Sequence, residues 1–409
     1  MARERLHFSP PFILAGILGL AIGVGVLARF YSLGSITSRI FDEVYFPVMA
    51  VGFLHHQLVF DVHPPFGKLL IAIGIWLFGD TPFGWRIIPA LFGVALLPLA
   101  ALTAWRPRKS IAAAAFIAVF MSLDGALIAY SRTGLMDGLM LFLIVAATCI
   151  ALRVKTWRSL LLLAVLVGLA ASIKWVAIAV LPPVAYLLWR QRKLVEAIPY
   201  LPVAVGTYFS AVLVGEWIGR VAHPVQAALQ WQNTAMTYHL ALNATHPWSS
   251  RWWTWPLELR PVLLYYQESA DGRISLMTTL GNPILWWLST LAVISAVVLL
   301  VHTFVRNWRT ALDHPLVPLL IGYFSAWLPW ALVHRIVFQY HYLPAYFFAL
   351  LILTYFLERL WDQWNARWGA IVILLVVTLG GIYFLPFTIA TPLTTSQISH
   401  RVWIQSWLY

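Results

Sequence analysis

The stretch RSLLLLAVLVGLAASIKWVAIAVLPPVAYLLWRQRK, residues 158–193, decides how the chain is arranged. Between Arg158 and Arg190 run 31 residues without a strong break, and Lys174 stands at their midpoint. Both flanks are basic: Arg153, Lys155 and Arg158 before, Arg190, Arg192 and Lys193 after. Basic residues in short loops stay on the cytoplasmic side of a membrane. An even number of crossings must therefore lie between the two flanks. A single tilted helix would separate them and leave Lys174 in lipid, where a charge at the bilayer centre costs about 3 kcal/mol or more. The segment reads instead as two short helices that meet on the outer side, with Lys174 in the turn.

The rest of the chain agrees with a membrane setting. Of 409 residues, 61% are hydrophobic and 10% charged, with a mean hydropathy of +0.80, against about 25% charged in a soluble domain. The apolar runs are long and continuous, so they read as helices rather than as the alternating segments of a barrel. The net charge of +12 does not signal nucleic acid, because most basic residues fill short gaps between apolar runs. Cys149 is the only cysteine and lies inside an apolar run, which excludes a disulfide framework and a thiolate metal site. The opening Met-Ala-Arg-Glu-Arg precedes an apolar run too long for a signal-peptide core, so it reads as the cytoplasmic end of a first helix.

Taken in order, residues 11–33 make that first helix. Residues 34–85 form an outer loop, with a surface helix over 44–58 and a piece over 66–79 that is too short to span and reads as interfacial or re-entrant. Residues 86–105 lead inward, 110–153 hold two spans broken near 130–134, and 159–189 make the hairpin. Residues 198–218 lead outward to a second outer loop, 219–281, which is polar, rich in Trp and expected to lie ordered on the membrane. Spans over 283–305, 315–333, 340–358 and 368–386 follow, and the last 23 residues stay outside. The fold class is thus an all-α polytopic membrane protein of eleven transmembrane helices. Its N-terminus is cytoplasmic, its C-terminus is outside, and it forms one membrane domain without a separate soluble one. The inner loops of this arrangement hold Arg106, Arg108, Lys109, Arg306, Arg309, Arg359 and Arg367 with few carboxylates, as the positive-inside rule requires.

Charges left near the outer helix ends then become informative. The acids are Asp42, Glu43, Asp61, Asp124 and Asp137; the bases are Lys68, Arg86, Arg132, Lys174 and Arg335, with His63, His334 and His341 nearby. Charged groups at membrane depth pair together, line a cavity or bind something. Several cations there suit the phosphate of a lipid headgroup, and an adjacent acidic pair facing them suits a general base. Blander readings exist for single residues. Arg132 with Asp137 also fits a helix-start pair, and His341-Tyr342 before Pro344 also fits an ordinary helix start. Taken together, the charges describe transfer of a group from a lipid phosphate to an acceptor on the outer face.

The motifs FDEVYF (41–46), FDVHPPFGKLL (60–70), WRIIPALFG (85–93), LDGALIAYSRTGLMD (123–137), SIKW (172–175) and YHYLPA (340–345) resemble those of the protein O-mannosyltransferases, in the same order and over most of the membrane portion. The resemblance implies a C-type glycosyltransferase fold and transfer of mannose from polyprenyl-phosphate-mannose to Ser/Thr hydroxyls of secreted or membrane proteins. It implies Asp42 as catalytic base with Glu43 beside it, Arg86 as an essential arginine and Lys174 by the donor phosphate; the outer charge cluster adds Arg335 and His341 to the groups expected to hold that phosphate with Arg86 and Lys174. The pocket around them would include Asp61, His63, Arg132, Asp137 and Tyr342. It also allows pairing as a dimer. The pattern assigns no certain cofactor; a divalent ion bridging Asp42 and the phosphate is compatible with it, and no His-rich cage demands one. Residues 219–281 are too few to hold the β-trefoil domain of eukaryotic members. That implies a short prokaryotic form, a polyprenyl carrier, and a plasma-membrane location with the active site on the extracytoplasmic face. The rivals are a related transferase moving aminoarabinose or arabinose to a lipid or wall glycan, and a lipid or sugar transporter. The latter predicts polar residues on both sides and a two-fold repeat, neither of which is visible.

Overall fold

Apolar runs in hydrocarbon must satisfy their own backbone hydrogen bonds, and a helix does so within one segment. The structure, a computed structural model that describes Pro10–Leu408, is accordingly helical almost throughout. The basic N-terminal segment with Arg3 and Arg5, read as cytoplasmic, lies outside the described residues. The helices run α1 (Pro10–Phe30), α2 (Phe46–Leu54), α3 (Phe66–Phe78), α4 (Pro82–Trp105), α5 (Ile111–Leu123), α6 (Gly125–Ser131), α7 (Asp137–Ala151) and α8 (Trp157–Ala171). There follow α9 (Leu181–Arg190), the short α10 (Leu194–Ala197), α11 (Leu201–Ile218), α12 (Pro224–Ala241), α13 (Pro283–Arg306), the short α14 (Trp308–Leu312) and α15 (Leu316–Trp327). The chain closes with α16 (Leu343–Asp362), α17 (Arg367–Phe384) and two short helices, α18 (Pro386–Ile389) and α19 (Thr395–Ser399).

Among the described residues, six helical segments are long and apolar enough to cross a membrane, and α5 with α6 makes a seventh if the bent pair is one span. The others are shorter. The core is built around α5, α7 and α16, which are buried along nearly their whole length. Where the sequence predicts one break near 130–134, the chain has two. The first is a 68° bend at Asp124, whose side chain caps α6 by accepting from Leu127 N at 3.0 Å. The second separates α6 from α7.

The 158–193 stretch is a hairpin. The Gln191 side chain, just past α9, donates to Ala151 O at 2.7 Å and accepts from Val154 N at 2.9 Å. The end of α9 therefore lies beside the loop from which α8 departs, and the two helices run in opposite directions. Other basic loops gather on this same face. Arg106 donates to Cys149 O. Arg108 pairs with Glu358 at 3.1 Å and Asp362 at 2.8 Å, and Arg190 pairs with Asp313 at 2.7 Å. The loops that carry the charges of the predicted inner side thus share one end of the molecule, and the predicted outer residues occupy the other.

On that other end, the predicted surface helix over 44–58 is the shorter α2, and the 66–79 piece is α3. The 219–281 segment holds α12 and an antiparallel hairpin, β1 (Leu263–Glu268) with β2 (Ile274–Thr278), in the register Tyr266 to Leu276. The C-terminal tail docks on it. Ile274 bridges Leu393, and Trp407 packs on Phe384 while its Nε1 donates to Glu258 O at 2.8 Å.

Candidate active site

The adjacent acids Asp42 and Glu43 lie in a 3-10 turn over Phe41–Val44. Successive side chains on such a turn point about 120° apart, so the two carboxylates face different surroundings. Glu43 turns inward and is 0% exposed. Its oxygens accept from Arg86 Nε at 2.8 Å, Arg86 Nη2 at 2.7 Å, Gly134 N at 2.7 Å and Ile40 N at 3.1 Å. The Gly134 contact suits a residue without a side chain, because a Cβ there would press on Pro47, Trp85 O and Glu43 at 3.0–3.4 Å. Arg86 spends its remaining N–H groups on the carbonyls of Leu33, Ile36 and Ser38. The Arg86–Glu43 pair thus staples the 33–43 loop to α4.

Asp42 has the opposite situation. It is half-buried, and its side chain makes no hydrogen bond among the described residues. Burial pushes its carboxyl up to about 7, with Asp137 and Asp61 pushing the same way and Lys174 opposing them. Phe41, the residue before it, has φ +46, a left-handed conformation that costs a non-glycine residue about 1–2 kcal/mol. Its ring is fixed by edge contacts to Phe338, Tyr340 and His246 at 6.0–6.4 Å. Strain of this kind persists only where the surroundings over-determine it.

The His-Pro-Pro turn comes next. Asp61 accepts from Lys68 Nζ at 2.6 Å and from Val62 N at 2.7 Å, and Lys68 also donates to His63 O at 2.8 Å. The His63 ring makes no hydrogen bond among the described residues and is tilted against Phe46 and His239. Burial, with Lys174 and Lys68 nearby, holds the His63 imidazole well below its usual range, so it is neutral at pH 7. Lys174, 4% exposed at the hairpin turn, reaches both oxygens of Asp137 at the start of α7, at 2.8 and 2.9 Å. Its Nζ lies 4.7 Å from the Tyr340 ring. An ammonium has three donors, so one remains.

A cavity of about 1010 Å³ opens beside this group. Lys174, His63, His239, Arg335 and His341 form its polar side; Ile178, Leu181, Met236, Leu240, Leu332 and Val333 are among its apolar walls. Among the described residues Arg335 makes one hydrogen bond, to Ile336 O at 3.3 Å. His341 is wedged against Trp330 at 4.1 Å, stacks on Trp255 and keeps Nδ1 on the Phe338 backbone.

Of the residues singled out from sequence, His63, Lys174, His334, Arg335 and His341 line the cavity. Asp61 and Asp137 stand behind it, bonded to Lys68 and Lys174, and Asp42 lies within electrostatic reach of Lys174. The remaining ones do not face it. Arg86 and Glu43 are spent on each other, and Arg132 donates to Ala28 O at 3.1 Å and Tyr31 O at 2.6 Å, tying the α6–α7 loop to the end of α1. Tyr342 is buried in a bond with Tyr323 at 3.0 Å and against Trp286. Asp124 is a structural hub that takes Leu127 N, Asn282 N, Trp286 Nε1 and Tyr346 OH. Two residues were missed. His239 sits in a segment without a motif, and Tyr340 lies inside a quoted motif but shows only as an aromatic. No three His, Cys, Asp or Glu side chains among the described residues are grouped to hold a metal.

The family described as "Dolichyl-phosphate-mannose-protein mannosyltransferase" matches residues 20–83 and 80–200, and the "C-terminal four TMM region of protein-O-mannosyltransferase" matches 224–407. The chain belongs to the protein O-mannosyltransferase family. A polyprenol-phosphate-mannose–protein mannosyltransferase of Mycobacterium tuberculosis is 31% identical over 79% of this chain and 77% of its own length. The one from Mycolicibacterium smegmatis is 27% identical over 94% and 91%. In fold, the chain is similar to the Saccharomyces cerevisiae Pmt1–Pmt2 complex bound to the sugar donor, with a TM-score of 0.83, 15% identity, and coverage of 97% of this chain and 93% of that one. Similarity to ArnT from Cupriavidus metallidurans bound to undecaprenyl phosphate is weaker, with a TM-score of 0.60, 14% identity and coverage of 93% and 77%.

Proposed function

We propose that this protein O-mannosyltransferase family member moves mannose from polyprenyl-phosphate-mannose to Ser or Thr hydroxyls of protein acceptors, in one inverting displacement. The observation that carries the reading is the uncommitted Asp42 carboxylate within electrostatic reach of the Lys174–Asp137 pair, whose lysine lines the polar side of a cavity with other walls that are apolar. An apolar wall with a cationic end fits a lipid phosphate. The acceptor oxygen attacks C1 of mannose and the bond from C1 to the phosphate oxygen breaks. The proton passes to Asp42, and the polyprenyl phosphate leaves with the electron pair. A base whose pKa lies near 7 is matched to this task. The free N–H groups of Arg335 and the third proton of Lys174 meet the growing charge on the phosphate, already in place before reaction. Arg86, with no donor left over, serves as the anchor of the Asp42 loop rather than as a phosphate ligand.

In the membrane, the reading adds the shorter helices to the long ones. The α7, α8, 175–190 and 316–332 segments complete eleven crossings, with α3 as the interfacial piece. The face where Arg106, Arg108 and Arg190 gather is cytoplasmic and the cavity opens on the extracytoplasmic side of the plasma membrane. The test is transfer of radiolabelled mannose from polyprenyl-phosphate-mannose to a Ser/Thr-rich peptide by wild type and Asp42→Asn. Transfer by wild type alone supports both reaction and base. Donor binding without transfer by either protein overturns the assigned acceptor or sugar, and full activity of Asp42→Asn overturns the base.

A further inference from the structure

The helix α12 carries two separate apolar faces. Ala228, Trp231 and Ala235 pack on Val212 and Tyr208 of α11. A second stripe, Val225, Leu229, Met236 and Leu240, falls within about 60° of arc at 100° per residue. It has no partner among the described residues: Leu229 is 59% exposed and Leu240 is 80% exposed. Beside it runs a polar stripe of Gln226, Gln230, Asn233 and Thr237, all exposed. Such a helix fits a boundary between hydrocarbon and water.

Its depth is set by what it touches. The hairpin turn at Lys174 is reached by α8, which has 15 residues and so spans about 22 Å, short of the roughly 30 Å of a hydrocarbon core. The turn is therefore recessed below the outer surface. Trp175, next to Lys174, donates to Tyr208 OH at 2.9 Å, and Tyr208 OH donates to Gln232 of α12. This places α12 alongside the middle of α11, a lipid-facing span, at the level of the recessed turn. Two stripe residues, Met236 and Leu240, also line the cavity, so the stripe runs without interruption from the outside of the molecule into the cavity.

We propose that α12 is embedded in the bilayer leaflet adjoining the active face, with Val225, Leu229, Met236 and Leu240 against lipid chains. There it forms the side entrance by which the apolar chain of the donor reaches the cavity. This second step rests on the donor reading above; the first does not. The same helix grips the site, because Trp231 Nε1 donates to Asp61 O at 2.9 Å and His239 Nε2 to Val62 O at 3.3 Å. A helix seated in lipid thus holds the loop that carries His63.

The test uses the full chain in nanodiscs of phosphatidylcholine and phosphatidylglycerol. Single cysteines (Leu229→Cys, Met236→Cys, and Gln230→Cys on the polar stripe) are placed on a Cys149→Ala background and labelled with an NBD fluorophore. The expected result is blue-shifted emission and strong quenching by a shallow doxyl-labelled phosphatidylcholine for the first two, with neither for Gln230→Cys. Equal, water-like behaviour at all three positions overturns the embedding, whatever reaction the protein catalyses. For the entrance, Leu229→Glu is expected to raise the KM for a long-chain polyprenyl donor about tenfold while leaving a short, water-soluble prenyl-phosphate-mannose unaffected. An equal change with both donors overturns the entrance. If wild type transfers mannose from neither donor, the function reading fails while the quenching result still decides the embedding.

Discussion

Arg86 holds both oxygens of Glu43 with a forked pair of hydrogen bonds at 2.8 and 2.7 Å, and both side chains are out of solvent. The pair is a hinge pin: it fixes the loop on which the next carboxylate, Asp42, is left free. Removing one member of a buried ion pair leaves the other charge uncompensated and costs about 3–5 kcal/mol. Glu43→Ala and Arg86→Ala are therefore expected to lower the thermal midpoint of the purified protein sharply. Arg86→Lys should also destabilise, because a single ammonium cannot replace the fork. A thermal midpoint unchanged in Glu43→Ala would show that the staple does not hold the loop.

Asp42→Asn separates chemistry from stability. The side chain has no hydrogen bond to lose, so the thermal midpoint is expected to stay within about a degree or to rise slightly, since burial disfavours the charged form. Losing a positioned general base reduces turnover about 100- to 10,000-fold. Measured together, unchanged stability with lost transfer identifies a catalytic group, and parallel losses would make Asp42 structural.

The pH dependence follows from the same carboxyl. It acts as a base only when ionised, and burial places its pKa at about 7, against the pull of Lys174. The rate is expected to rise as pH increases through about 7 and to level off above it, seen as the ascending limb of kcat/KM. Conversely, Lys174→Met removes the group that favours the charged form and should move that limb to higher pH. A limb near pH 4, the value of an unperturbed carboxylate, would place the base elsewhere.

Much of this was legible because lipid restricts what a chain can do. The turn at Lys174 follows from two basic flanks and the cost of a buried charge, and Gln191 closes the hairpin as that argument requires. The outer cluster was legible as a set of residues but not as roles. Spacing shows that Asp42 and Glu43 are adjacent; only the 3-10 turn shows that one is consumed and the other is free. For the same reason Arg86 reads as a phosphate ligand in sequence and as an anchor in space. The β1–β2 hairpin did carry a signal, Asp271-Gly272 between two short segments rich in Leu, Ile and Tyr, with Gly272 at φ +74. His239 carried none, because its position depends on how α12 folds back along α11.

Lys174 and Asp137 form the second buried pair, at 2.8 and 2.9 Å, and their two possible roles can be separated by a double-mutant cycle. If the pair only stabilises the hairpin turn, replacing both members with apolar groups of similar volume should restore what either single change removes. Lys174→Met alone leaves Asp137 buried and unpaired and is expected to cost about 3–5 kcal/mol. Lys174→Met with Asp137→Leu should recover most of that in thermal midpoint. Under the donor reading, the double variant still lacks the ammonium beside the cavity, so binding of polyprenyl-phosphate-mannose should stay weak although the fold is regained. Recovery of donor binding together with stability would make Lys174 a structural lysine, and the phosphate would then fall to Arg335 alone.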